Sequence, residues 1–140
     1  MKQTKLIKTF PMTKAGFQPA LIKDQWQVGQ LNHSPFYDLN HFDGLIAHQK
    51  SARSLSLLKG KAILLTTNKL EGTEFEIMLL QRGTSYDIPR NKPHRIVMTK
   101  GTEIFVVEQS NQHLVEPKYH PLNAVLLKEI RQSIHQVLKP

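Results

Sequence analysis

Short apolar runs separated by turn residues dominate the chain between about Arg53 and Glu108. The segment Arg53-Ser54-Leu55-Ser56-Leu57 alternates strictly, as a strand with one buried face does. Lys59-Gly60-Lys61 then supplies a turn before the run from Ala62 to Thr67, so the two runs are predicted to form a hairpin. Further strands are predicted over Thr73 to Gln81, Tyr86 to Ile88, Arg95 to Met98 and Glu103 to Glu108. Many short strands at regular spacing predict an antiparallel sandwich or barrel.

The two ends of the chain differ from this middle part. Pro121 fits the first position of a helix, and an apolar residue recurs every four positions after it, at Leu122, Leu126, Ile130, Ile134 and Leu138. Residues 121–138 are therefore predicted to form one amphipathic helix that covers the barrel or a partner subunit. The first forty residues are expected to add edge strands, with Trp26 in the core. Residues 1–140 thus form a single predicted domain, mainly β with a C-terminal α-helix.

The composition of the chain limits the kinds of molecule that the protein is expected to bind. The chain has no cysteine, which excludes disulfides and thiolate metal sites, and a formal net charge of +8, which favours anionic partners. Its basic residues are scattered, so a small anionic metabolite is expected rather than nucleic acid.

Met1 to Lys8 lack the apolar stretch of a secretory signal, and no run approaches the ~20 apolar residues of a membrane span, so a cytoplasmic protein is expected.

One twelve-residue stretch carries a specific motif. Gly83-Thr84-Ser85-Tyr86-Asp87-Ile88-Pro89-Arg90-Asn91-Lys92-Pro93-His94 resembles the second cupin motif, which reads glycine, five residues, Pro-x-Gly, two residues, then histidine. Asn91 stands where the motif has its middle glycine. Asparagine tolerates the left-handed backbone that such a turn needs, so the same conformation is expected here. The resemblance implies a cupin jelly-roll barrel, with residues 44–108 as its motif core.

The first cupin motif keeps its spacing here, but two of the four positions that supply metal ligands in metal cupins carry other residues. Its pattern of His-x-His, four residues, Glu, six residues, Gly falls on Ile46-Ala47-His48, Arg53 and Gly60. In metal cupins these two histidines, the glutamate and the second-motif histidine hold a divalent ion. Here the matching positions are Ile46, His48, Arg53 and His94, and a permanently protonated guanidinium repels a cation. No metal and no other cofactor are therefore expected.

The segment from Gly44 to Lys50 and on through Leu58-Lys59-Gly60 is also similar to small cupin 3,4-ketoisomerases of nucleotide-linked sugars. This resemblance implies a metal-independent isomerase or epimerase of an anionic sugar, either nucleotide-linked or phosphorylated. Two alternatives stay open: a non-catalytic cupin that binds a small anion, and a metal-dependent dioxygenase or isomerase with unusual ligands. A homodimer is expected by analogy with other barrels of this kind.

Six residues are the candidates for the site. His48 is the expected general base or else a hydrogen-bonded interior histidine. Arg53, on the side of its strand that carries Leu55 and Leu57, is expected to clamp an anion or to pair internally with Glu74, Glu76 or Asp87. His94 and Tyr86 are candidate proton donors. The alternative for His94 is that it only forms the hydrogen bonds of the turn, and the alternative for Tyr86 is that it is an ordinary residue of the barrel wall. Lys50 and Arg90 are expected at the rim, where either can meet a phosphate.

Overall fold

Two five-stranded antiparallel sheets form the body of the molecule in the computed structural model, which describes residues 6–139. The strands are β1 (Gly16–Ile22), β2 (Trp26–Asn32), β3 (Gly44–Ala47), β4 (Arg53–Lys59), β5 (Ala62–Thr66), β6 (Glu76–Leu79), β7 (Ser85–Ile88), β8 (His94–Met98), β9 (Glu103–Gln109) and β10 (Lys118–Pro121). The first sheet has the order β1-β2-β9-β4-β7 and the second β10-β3-β8-β5-β6. The predicted jelly-roll barrel of mainly β structure is confirmed.

The interior lies between the two sheets and is built by alternation along the strands. In β4, Arg53, Leu55 and Leu57 are buried while the residues between them are partly exposed. Side chains from both sheets meet there, among them Leu55 and Ile104 from the first sheet and Ile96 from the second. Because successive strand residues face opposite sides, the pattern seen in the sequence fixes which side chains reach the interior.

The predicted hairpin between β4 and β5 is wrong. These strands belong to different sheets, β4 pairing with β7 and β9 and β5 with β6 and β8. At Gly60 the backbone is left-handed, with φ of 88°, and the Oγ1 atom of Thr102 accepts a hydrogen bond from the next amide, Lys61, at 3.1 Å. This turn carries the chain from one sheet across to the other, so that both strands still face the same interior.

The C-terminal helix, α1 (Ala124–Leu138), begins three residues later than predicted. Pro121 is the last residue of β10, where it pairs with Gly44, and is not the first helical residue. Instead the side chain of Asn123 caps the helix by accepting a hydrogen bond from the Leu126 amide at 2.9 Å. The predicted apolar stripe packs on the outer face of the second sheet, with Ile130 and Ile134 buried there.

The N-terminal part supplies β1 at the edge of the first sheet, as expected, while β2 lies inside that sheet between β1 and β9. Trp26 is not a core residue, because its side chain is 45% exposed. It occupies an outward position of β2, whose inward positions are Gln27, Gly29 and Leu31. Within residues 6–139 no helix is long and apolar enough to cross a membrane. The prediction for Met1 to Lys8 falls partly on residues 1–5, which lie outside the described part.

Candidate functional site

His48, Arg53 and His94 converge at one end of the barrel interior. Arg53 is the first residue of β4, His94 is the first residue of β8, and His48 directly follows β3. The Nη1 atom of Arg53 lies 3.2 Å from Nε2 of His48, and the rings of His48 and His94 are 5.6 Å apart between centroids. The sequence-based expectation that His48 and Arg53 share the interior agrees with this geometry.

Arg53 is held by a carboxylate of its own. Its Nε atom donates to Oε1 of Glu108 at 2.9 Å, and the two side chains are only 6% and 2% exposed. The other oxygen of Glu108 accepts from Nε2 of Gln27 at 2.7 Å. The expected partners Glu74, Glu76 and Asp87 are wrong, because Arg53 and Glu108 stand directly opposite each other in the pairing of β4 with β9. The guanidinium is thus neutralised from within the barrel.

This arrangement fixes the tautomer of His48. A guanidinium can only donate hydrogen bonds, so Nε2 of His48 carries the lone pair and Nδ1 carries the hydrogen. The Nδ1 atom lies 3.2 Å from Nε2 of Gln112, so the side-chain amide of Gln112 has to be turned by 180° for its oxygen to accept that hydrogen. Burial, followed by the charge of Arg53, lowers the pKa of His48 from 6.5 to about 3. His48 is therefore a neutral imidazole whose lone pair is already engaged.

His94 has the opposite arrangement. Its Nδ1 atom donates to the carbonyl oxygen of Lys92 at 2.8 Å, so the lone pair lies on Nε2. That Nε2 atom is buried and has no hydrogen-bond partner among residues 6–139. Burial lowers the pKa of His94 from 6.5 to about 4, against the effect of its bond to Lys92. His94 therefore presents a free acceptor inside the barrel at neutral pH.

Tyr86 shares a cavity with His94. The cavity, of about 310 Å³, opens between β7 and the second sheet, and its polar lining includes Lys92, Glu76 and Asp87. The hydroxyl oxygen of Tyr86 accepts from the Gln81 amide at 2.9 Å, which leaves the hydroxyl hydrogen available for donation. His48 and Arg53 do not line this cavity. The structure thus puts Tyr86 and His94 in the lining of one cavity that the other two interior candidates do not line.

Lys50 and Arg90 lie elsewhere, in an open concavity of about 660 Å³ on the outside of the same end of the barrel. Trp26 also lines this concavity. The concavity and the His94–Tyr86 cavity share no lining residue. The six candidates therefore fall into three places: the buried network around Arg53, the His94–Tyr86 cavity and the outer concavity.

The residues at the cupin metal positions do not fit a divalent ion. The lone pair of His48 accepts from Arg53, and both oxygens of Glu108 are engaged by Arg53 and Gln27. Only Nε2 of His94 remains free, whereas protein metal sites usually use three or more ligands. In the described part of the chain no three His, Asp or Glu side chains are grouped as metal ligands.

Glu108, Gln27 and Gln112 were missed by the sequence analysis, although all three are buried and belong to the network. A signal for Glu108 exists in the sequence. It continues the inward alternation of Ile104 and Val106 along β9. Glu108 meets Arg53 because β4 and β9 are adjacent strands of one sheet, and local sequence does not reveal that adjacency.

Comparison with known proteins gives the fold alone. No family model and no curated protein matches the sequence. Among solved structures, BH2720 from Bacillus halodurans is 14% identical over 76% of this chain and 78% of that one, with a TM-score of 0.54. The iron(II) form of HppE is 15% identical over 66% of this chain and 48% of that one, with a TM-score of 0.47.

A further similar structure is an RmlC-like cupin protein from Methanocaldococcus jannaschii, described as having a double-stranded β-helix fold. It is 14% identical over 81% of this chain and 97% of that one, with a TM-score of 0.50. Three observations indicate the same fold. They are the order of the strands in two antiparallel sheets, the left-handed turn at Asn91 and this likeness. The chain therefore has the cupin double-stranded β-helix fold, with a C-terminal helix packed on the outer face of its second sheet.

Proposed function

We propose that this barrel binds a small, uncharged polar metabolite in the His94–Tyr86 cavity and needs no metal ion to do so. The observation that carries the proposal is the free lone pair on Nε2 of His94. A buried acceptor without a partner costs about 1–3 kcal/mol, and a ligand hydroxyl that donates to it removes this cost. The cavity volume of about 310 Å³ suits a ligand the size of a monosaccharide.

The charges around the cavity favour a neutral ligand over an anion. Arg53 and Glu108 cancel each other, and both interior histidines are neutral near pH 7. At the cavity itself, one cation, Lys92, stands against the carboxylates of Glu76 and Asp87. An anionic group would meet a net negative lining there, so a phosphorylated sugar is a poorer ligand for this cavity than a free sugar.

A metal-independent sugar isomerase or epimerase is the second candidate, favoured because an acceptor and a donor line the same cavity. Nε2 of His94 would take a proton from the carbon next to a carbonyl, while the Tyr86 hydroxyl protonates the carbonyl oxygen to give an enediol. Return of the proton from His94 to the former carbonyl carbon, while the neighbouring hydroxyl gives its proton to the Tyr86 phenolate, yields the isomer. Return of the proton to the opposite face of the original carbon, while the enol oxygen gives its proton back to the phenolate, yields the epimer. We rank it second because a pKa of about 4 makes His94 a weak base at neutral pH.

In both candidates His94 replaces His48 as the residue that acts on the ligand. His48 cannot accept a proton at Nε2 without losing its bond from Arg53. It supports the site instead, by holding the guanidinium in place.

Binding is tested by isothermal titration calorimetry with fructose, fructose 6-phosphate and inorganic phosphate. We expect saturable binding of fructose, weaker binding of fructose 6-phosphate and none of phosphate. His94→Gln should weaken fructose binding by roughly ten-fold, the equivalent of one hydrogen bond. The matched control, His41→Gln, changes an exposed histidine outside the cavity and should leave binding unchanged. Fructose binding of unchanged affinity in His94→Gln contradicts the proposal.

Catalysis is tested separately by dissolving fructose in deuterated buffer and following loss of the hydrogens next to its carbonyl by proton NMR. Exchange that depends on the protein and is slowed in Tyr86→Phe supports the isomerase. Tyr119→Phe, which removes an exposed hydroxyl on β10, is the control. Saturable binding without exchange leaves the binding function and eliminates this reaction for fructose.

A further inference from the structure

We propose that the outer concavity around Trp26, Lys50 and Arg90 is a second binding site, specific for a small aromatic anion such as an aryl phosphate or an aryl carboxylate. This inference goes beyond the proposed function, because the concavity shares no lining residue with the His94–Tyr86 cavity. Two of the basic residues that give the chain its net positive charge, Lys50 and Arg90, lie at this site.

The concavity is built from segments that are fastened to one another. The amide of Asn91 donates to the carbonyl oxygen of His48 at 2.8 Å, which ties the loop of Arg90 to the turn that contains Lys50. The amide of Gln109, opposite Trp26 in the pairing of β2 with β9, donates to Oγ of Ser51 at 2.9 Å. The cationic side chains and the indole therefore stand on a backbone held by hydrogen bonds between separate strands and loops.

The side chains that line the concavity offer two kinds of contact. Trp26 is 45% exposed and, with Val107, forms an apolar wall suited to a flat ring. Lys50 and Arg90 are exposed, and neither forms an ion pair with a carboxylate among residues 6–139. An ammonium and a guanidinium together suit the oxygens of a phosphate or carboxylate.

The balance of charge at this place is also positive. Asp24 is an acidic residue of the lining whose side chain is exposed, and Glu108 contributes to the floor with its carboxylate already committed to Arg53. Among residues 6–139, two cations without an ion-pair partner thus face one carboxylate without such a partner. The His94–Tyr86 cavity has the reverse balance, so an anion is drawn to the outer concavity.

Trp26 is the only tryptophan of the chain, so the fluorescence of the whole protein reports on this site. The experiment titrates the full chain with phenyl phosphate, benzoate, inorganic phosphate and phenol while tryptophan emission is recorded. We expect saturable quenching by phenyl phosphate and benzoate, a weaker or absent response to phosphate, and no saturation with phenol. The aryl phosphate and aryl carboxylate arms show which anionic group is preferred.

Single substitutions then test the cations. Lys50→Gln and Arg90→Gln should each weaken phenyl phosphate binding by about 1.5- to 5-fold, the worth of one exposed charge pair. Lys128→Gln and Arg82→Gln remove the same charges from exposed positions outside the concavity and are the matched controls. Equal losses in the control variants would show that only net charge matters and would overturn the site.

Two further outcomes also overturn the proposal. One is the absence of saturable quenching by both aryl anions. The other is tryptophan emission that changes with protein concentration alone, which would assign the exposed indole to an interface between two copies of the chain. His94→Gln should leave the fluorescence titration unchanged, so failure at one site is distinguished from failure at the other.

Discussion

Replacing Glu108 by glutamine removes one charge from the buried pair while keeping the size of the side chain. Glu108 is 2% exposed and Arg53 is 6% exposed, so the guanidinium would be left with no neutralising partner away from water. Breaking a buried ion pair from one side costs about 3–5 kcal/mol. We expect the lower end, about 3 kcal/mol, because the amide oxygen of glutamine can still accept from Arg53.

The double variant Arg53→Met with Glu108→Gln separates this cost from simple loss of contacts. Without either charge, the oxygen of the new amide can still accept from Gln27, while its NH2 group and Nε2 of His48 lose the partner that Arg53 or its position supplied. The double variant should therefore lose about 1–2 kcal/mol, less than either single variant. A strongly non-additive cycle is the expected signature of a coupled pair.

Urea unfolding followed by far-ultraviolet circular dichroism at pH 7 measures each free energy of unfolding. The control is Glu103→Gln, which breaks the exposed pair of Glu103 with Lys59, whose atoms are 3.9 Å apart, and should change stability by less than about 0.5 kcal/mol. If Glu108→Gln costs no more than this control, or if the two single losses add in the double variant, the argument for a buried coupled pair is refuted.

Three further predictions concern the pH dependence of stability, the left-handed turn at Asn91 and the metal content of the protein. The pKa of His94 falls from 6.5 to about 4 on folding, so its share of stability is complete above pH 6.5 and is lost as pH falls from 6.5 to about 4. Urea unfolding at pH 7 and pH 5 should show a loss of roughly 2 kcal/mol from this group in addition to the loss from His48, whose pKa is also lowered, and His94→Gln should remove the His94 part alone. Asn91 has φ of 65°, so Asn91→Gly should leave the urea midpoint nearly unchanged while Asn91→Val costs about 1–2 kcal/mol. Elemental analysis of the dialysed protein should find Fe, Mn, Ni, Zn and Cu far below one per chain, and a retained stoichiometric metal would contradict the assignment of Arg53.

Local pattern was enough to predict several features. The alternation from Arg53 to Leu57 assigned the inward face of β4 correctly, and the four-residue repeat of the tail predicted the helix and its buried stripe. The motif that ends at His94 predicted the left-handed turn at Asn91. Each of these depends on the period of a single element or on the conformational preference of a single residue.

Relations between distant strands could not be predicted in the same way. A glycine turn such as that at Gly60 reverses the chain but does not say whether the next strand stays in the same sheet, so β4 and β5 were wrongly paired. The partner of Arg53 was missed for the same reason, because β4 and β9 are neighbours in space and far apart in sequence. Trp26 was misplaced because a large apolar side chain was taken as core without counting the alternation of β2.

The charges of this barrel decide what it can recognise inside and outside. At the cupin metal positions a guanidinium stands with its own carboxylate, so within residues 6–139 these positions offer no net charge to an anion and no open ligand set to a cation. The buried Nε2 atom of His94 has no hydrogen-bond partner among residues 6–139, and it selects for a donor rather than for a charge. Lys50 and Arg90, which form no ion pair within the described part of the chain, stand outside, where an exposed indole adds a contact for a flat ring. A ligand that carried both a sugar and an aromatic anion would have to reach two cavities without a common wall, so the two sites are expected to bind separate molecules.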